Sequence, residues 1–231
     1  MPSPYDTLDA ETAPIDTAEK DAAPKDIGAK DTAKSLRTRA RILDCATRLF
    51  VEIGYAAATN AKIAEAAGLT RGAMLYHFPS REALVEALVQ HLQAARIAML
   101  AEASNRAPPG ADLSDHAIDA YWSLLRADAF VAFAELEAAG RTDPAVQAAL
   151  APAQAAFDQA QGGLQTSSML QAGSGPRFQA SRDLARFMLE GLARANLAYD
   201  ADGRVERLLA VIKRATHMLN RKGGEQDLWP D

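Results

Sequence analysis

The stretch TNAKIAEAAGLTRGAMLYHFPSR, Thr59 to Arg81, constrains the fold more than any other part of the chain. Ile63, Ala64 and Ala67 recur at helical spacing and mark the buried face of one short helix. Thr59 or Asn60 caps its first turn through a side-chain oxygen. Gly68 ends it, because glycine enters the left-handed region without a Cβ clash. Leu69 plugs the turn, and Thr70 caps a second short helix, Arg71 to Phe78. Pro79 cannot extend that helix inward, and Ser80 caps the next one. Two short helices joined by a tight turn around a glycine make a helix-turn-helix. In that motif the second helix enters the DNA major groove. An ordinary helical hairpin shows the same two-helix pattern, so the flanks decide. An amphipathic helix precedes the pair, with Ile42, Leu43, Ala46, Leu49, Phe50 and Ile53 on one face and Gly54-Tyr55 at its end. Arg81-Glu82-Ala83-Leu84 follows and opens a long helix.

These pieces, taken in order and at these intervals, give segment 39–92 its likeness to a known family. The first helix with Ala46, Leu49 and Phe50, then Gly54-Tyr55, Ile63-Ala64, Ala67-Gly68-Leu69-Thr70, Gly72, His77-Phe78 and Arg81-Glu82-Ala83-Leu84 carry it. The segment resembles the DNA-binding domain of the TetR family of bacterial transcriptional regulators. The family usually has Tyr three residues ahead of Phe78; this chain has Leu75 there and Tyr76 one place later. The resemblance implies an all-α protein: a three-helix DNA-binding domain, then a larger helical ligand-binding and dimerisation domain. It further implies a repressor that binds a palindromic operator as a homodimer and is released by a small-molecule effector.

The chain has 231 residues and is 48% hydrophobic, enough for one sizeable core or two small ones. It lacks a run of some 18 apolar residues and a basic-then-apolar leader, so the expectation is a cytoplasmic protein with no membrane partner. The single cysteine, Cys45, fits a reducing compartment and is read as a packing residue. The net charge of −5 conceals a local excess of base. Segment 34–81 carries Lys34, Arg37, Arg39, Arg41, Arg48, Lys62, Arg71 and Arg81 against Asp44, Glu52 and Glu65, the sign a phosphate backbone requires.

Residues 1–35, rich in Ala, Pro, Asp, Thr and Lys, read as a disordered tail. Residues 36–80 form the expected helix-turn-helix domain, with helices over 36–53, 60–67 and 71–78. Residues 81–222 form the second domain, and 223–231 a C-terminal tail. A fourth helix from Ser80 to Ser104 carries Leu84, Leu88 and Leu92 at intervals of four and is long enough to touch both domains. Pro108-Pro109-Gly110 breaks it off. Helical segments follow at 112–126, 128–140, 144–170, 177–200 and 203–220. Asp143-Pro144 opens one of them, and Pro152 is expected to kink or split it.

The DNA-reading residues come from the head. Gly72 and Ala73 let the backbone approach the groove, and Thr70 caps while donating to phosphate. Arg71 and Tyr76 reach bases or phosphates, with Arg71 the best candidate for base readout because arginine pairs bidentately with guanine. His77 braces the fold or joins the contact. Asn60, Ala61 and Lys62 open the first motif helix, whose free N–H groups favour phosphate. Arg81 fits a phosphate contact, and Lys34, Arg37 and Arg39 lie along the backbone or in the minor groove.

An effector pocket in the second domain draws on Tyr121, Trp122, Leu125, Phe130, Phe133, Phe157, Met169 and Phe187, with Arg126 and Glu137 as polar groups. Aromatics at this spacing also serve as plain core. Leu184, Phe187, Met188, Gly191, Leu192 and Ala195 make one apolar stripe, and Val205, Leu208, Leu209, Ile212 and Leu219 another. These two pair with their symmetry mates as a four-helix dimer interface, unless the chain covers them itself. Asp112, Asp115, His116 and Asp119 read as acids favourable at a helix N-terminus rather than as a metal site. No metal or cofactor is expected. His77, His91, His116 and His217 are scattered, and no nucleophile–base pair, phosphate loop or HExxH motif is present. The alternatives to the regulator are a helical interaction or ligand-binding protein without operator binding, and an enzyme on an all-α scaffold.

Overall fold

The computed structural model describes residues 33–163, 176–195 and 203–220. These residues are helical throughout, apart from turns. α1 (Ala33–Ala57), α2 (Asn60–Ala66) and α3 (Arg71–His77) form the head. α4 (Arg81–Asn105), α5 (Leu113–Leu124), α6 (Asp128–Gly140), α7 (Pro144–Gly163), α8 (Pro176–Arg194) and α9 (Arg204–Asn220) form the body.

Local chemistry sets the helix ends. Thr59, not Asn60, caps α2, its hydroxyl accepting from Lys62 N at 3.4 Å. Gly68 sits at φ 64°, and Leu69 N donates to Ala64 O at 2.8 Å, which closes the carbonyl end of α2. The Thr70 hydroxyl accepts from Ala73 N and the Ser80 hydroxyl from Ala83 N, both at 3.1 Å. Asp112 caps α5, and Asp143 holds Ala145 N and Val146 N ahead of α7. Each such cap stabilises its helix by about 0.5–2 kcal/mol.

Three boundaries depart from expectation. α1 begins at Ala33, inside the stretch read as tail, and runs past Gly54 to Ala57. Gly54 breaks the helical geometry at φ 76°, ψ 163°, and Ala58 N to Gly54 O at 3.2 Å closes the turn beyond it. Ile53, just before the break, is 41% exposed rather than on the buried face. Of the kink or split expected at Pro152, the split is absent, and α7 continues through it. Pro152 and Ala148 are both exposed, so the carbonyl left without its helix donor meets water. The parts of the expected segments at 164–170 and 196–200, and the tails 1–32 and 221–231, lie outside the described residues.

The head and body share one continuous core. Ile42 and Phe50 from α1, Ile63 from α2, Met74 from α3 and Phe78 pack with Leu84, Leu88 and Leu92 of α4. Ala132, Phe133 and Leu136 of α6 and Val146 and Leu150 of α7 complete the cluster. Burying each large apolar side chain contributes about 1.5–3 kcal/mol, so the expected boundary at residue 80 does not separate two cores. A second cluster, with Leu100, Ile118, Tyr121, Trp122, Phe130, Phe157, Leu189, Val205 and Ile212, fills the far end of α4 against α5, α8 and α9. α4 therefore spans both clusters, as its length predicts.

Candidate nucleic-acid interface

α3 is held from beneath and left open above. Met74 and Phe78 are buried, while Arg71, Gly72, Leu75 and Tyr76 face outward. Tyr76 is 82% exposed, its ring edge-on to His77 at 5.2 Å. Thr59, Asn60, Ala61, Arg71, Met74 and Leu75 line a concavity where α2 meets α3. The N-terminal turns of both helices thus open on the same side, and their uncapped N–H groups favour phosphate there. Lys62 and Thr70 are exposed beside them, and Ala73 is half-buried. Lys34 and Arg37 are exposed on the first turns of α1.

Two expected DNA contacts are turned inward. Arg39 donates to His77 O at 2.6 Å and lies 4.4 Å over the Phe78 ring, bracing α1 against the end of α3. Arg81 donates to Ala58 O at 2.8 Å, Tyr55 O at 3.1 Å and Asn60 Oδ1 at 3.2 Å, over the Tyr55 ring at 4.7 Å. Both guanidiniums satisfy backbone carbonyls at helix ends, so they hold the head's shape. Cys45 is buried, as its reading as a packing residue requires. Its thiol donates to Ala66 O at 3.4 Å, and its sulfur accepts from Arg48 at 3.2 Å, which raises the Arg48 pKa.

The body gathers most of the expected pocket aromatics around a residue that sequence reasoning missed. Tyr121, Trp122, Phe130, Phe133 and Phe157 are all buried. The Arg96 guanidinium, 5% exposed, lies 3.8 Å from the Phe133 ring centre, 4.1 Å from Phe157 and 5.0 Å from Phe130. Beside it, the Tyr121 hydroxyl donates to Glu190 at 2.7 Å, and Arg186 donates to Glu190 at 2.8 Å and to Asp158. Burial and the Glu190 carboxylate push the Tyr121 phenol well above its ordinary range. Leu125 is half-buried at the margin, and Arg126 is exposed, stacked over Trp122 at 4.9 Å. Glu137 pairs with Arg194 and accepts from Gln154 at 3.1 Å. Phe187 is a correction: at 62% exposed, on the outer side of α8, it lines no enclosed pocket. Met169 lies outside the described residues.

On α8 and α9, Leu184, Met188, Gly191, Ala195 and Leu208 are exposed and Leu192 and Leu209 half-buried. Ile212 is the second correction in the body: it is 3% exposed and belongs to the chain's own core. The acidic cluster divides. His217 meets Asp115 at 3.0 Å and Asp112 at 3.6 Å, while Asp119 pairs with Lys213 and His116 meets Ala103 O. These are clamps between α5 and its neighbours.

Residues 42–88, the three-helix head with the start of α4, match the family model described as bacterial regulatory proteins, tetR family. The head is thus similar to the DNA-binding domain of the TetR family. This head is 49% identical over 55 residues to the HTH-type transcriptional regulator TtgR of Pseudomonas putida, covering 24% of this chain and 26% of that protein. Over 65 residues it is 43% identical to the HTH-type transcriptional repressor AcnR of Corynebacterium efficiens, covering 28% of this chain and 34% of that one. The matched part thus spans about a quarter to a third of these relatives. The likeness in fold reaches further. Salmonella enterica GusR superposes with a TM-score of 0.60 over 82% of this chain and 97% of that one, at 21% identity. Beyond the head, the likeness is therefore one of fold alone.

Proposed function

We propose that the protein is a cytoplasmic transcriptional repressor that binds a palindromic operator on double-stranded DNA as a homodimer, through α3 and the first turns of α1 and α2. The observation that supports this most is the exposed face of α3. Arg71, Gly72 and Tyr76 stand in solvent on a seven-residue helix whose other side is anchored by Met74 and whose first turn is capped by Thr70. A short rigid helix with free polar groups at its N-terminal end suits base readout in the major groove. The match of this head to TtgR and AcnR supports the same reading.

The dimer surface is assigned to α8 and α9. Leu184, Phe187, Met188, Leu208, Val211 and Met218 leave 36–62% of their surfaces exposed there. An apolar face of that kind on adjacent helices suits burial against a symmetry mate.

A small molecule bound among α4 to α8 would release the operator. α6 provides the mechanical link. Phe133 packs on Arg96, and two residues on, Glu135 accepts from Tyr55 N at 3.3 Å beside the Gly54 break of α1. A ligand that shifts α6 therefore moves the head. By linkage, effector and operator must weaken each other's binding equally.

Gel shift with the DNA flanking the protein's own gene tests the proposal. Sequence-specific retardation, relieved by an effector, is the expected result. Leu75, 37% exposed where the family usually has Tyr, favours a second reading, an interaction protein that has lost operator binding. Absence of any specific retardation would select it.

A further inference from the structure

Among the described residues, the arginines that leave solvent differ in how well their charge is met. Arg81 has three oxygen acceptors. Arg186, on the body's other guanidinium site, has both Glu190 and Asp158. Arg96 has a single neutral acceptor, Gln93 Oε1 at 3.2 Å. Among the described residues its Nε has no hydrogen-bond partner and no carboxylate lies within ion-pair distance of it. The nearby carboxylates are engaged: Glu190 by Arg186 and Tyr121, Glu137 by Arg194 and Gln154. Burial lowers the Arg96 pKa, and the opposing pull of Tyr121, Glu137 and Glu190 from a distance only partly offsets it. The ring faces of Phe130, Phe133 and Phe157 offset part of the cost of removing this charge from water, but a desolvated cation is fully compensated only by an anion.

Gln93 repeats the pattern one turn earlier on α4. It is 6% exposed, and because its oxygen faces Arg96, its Nε2 is left without a partner. Two unsatisfied groups therefore lie side by side, and both are donors. A structural network would supply acceptors to such a pair. An acceptor with two oxygens and an apolar body would complete it.

We infer that Arg96 and Gln93 form an anion-binding centre, and that the effector is a carboxylate with an apolar or aromatic body. This rests on the effector-released regulator proposed above and names its ligand class. The carboxylate takes Arg96 Nε and Gln93 Nε2, and its body lies among the phenyl rings that now cover the guanidinium. To enter, it displaces Phe133 and so moves α6.

The test uses the full chain and matched pairs of probes: benzoate, 4-phenylbutyrate and octanoate, each against its primary amide at constant ionic strength. The readout is thermal unfolding. At saturation at least one acid raises Tm by about 5 °C, while its amide gives less than about 1 °C. Arg96→Met abolishes the acid's effect, and Gln93→Leu reduces it. The inference is overturned if no acid shifts Tm, if amide and acid act alike, or if Arg96→Met retains the response. Should Arg96→Met not fold, the acid–amide comparison on the unaltered chain decides alone. Operator binding by the unaltered chain is measured separately without probe. Failure of the regulator reading then shows as lost DNA binding, and failure of this one as lost preference for the charged ligand.

Discussion

Three arginines of the head carry the same charge and have different duties, and geometry separates them. Arg71 projects from the first turn of α3 into solvent. Replacing it with alanine should cost about 1–3 kcal/mol of operator binding and relax specificity, while leaving Tm unchanged. Parallel titrations of specific and random duplexes check this; equal loss on both would make Arg71 a phosphate contact only. Arg81→Ala should instead lower folding stability by about 2–4 kcal/mol, read by urea denaturation, because it leaves Ala58 O and Tyr55 O without their donor. Periodicity could single out both residues but not tell them apart, since the carbonyls that Arg39 and Arg81 serve belong to helix ends 38 and 23 residues away. Arg96 was legible. It stands at the next interval of four after Leu84, Leu88 and Leu92, with Leu100 beyond it, so a charge on the core face was written in the pattern.

At the scale of elements, helix ends were readable because caps are local. Thr59, Thr70, Ser80, Asp112 and Asp143 each act on a backbone group within three residues. What joins elements was not. The hydrogen bond from Tyr55 N to Glu135 spans 80 residues, and nothing in either neighbourhood announces it. It forms at Gly54, whose φ of 76° and ψ of 163° fall in a region nearly closed to other residues, and where an added Cβ would stand 3.1 Å from the Glu135 carboxylate. Gly54→Ala should therefore destabilise the protein by about 1–3 kcal/mol in chemical denaturation. Glu135→Ala should cost about 1 kcal/mol in stability and, more tellingly, weaken the effect of ligand on operator affinity. Coupling that is unchanged in Glu135→Ala would remove α6 from the proposed path.

For the whole molecule, the core shared by the three-helix head and the longer helices was not visible in the sequence. Hydropathy marks Leu84, Leu88 and Leu92 as buried without saying that Ile42 and Leu136 bury them. Ile212 and Phe187 were misplaced for the same reason: a stripe of apolar residues does not say which neighbour covers it. Phe187, read from sequence both as a pocket aromatic and as part of the association stripe, stands with Leu184 and Met188 on the exposed face of α8. The double change Leu184→Glu and Phe187→Glu should convert a dimer to monomer in sedimentation, with the fold intact by circular dichroism, and reduce operator affinity to that of a single half-site. The account's central claim is that two α3 helices, held in register by the body, read two halves of one operator. A footprint on the DNA flanking the gene tests it most directly. The account predicts two protected half-sites about 34–36 Å apart, both lost in Arg71→Ala. Uniform protection that follows no sequence, or one half-site alone, would contradict it.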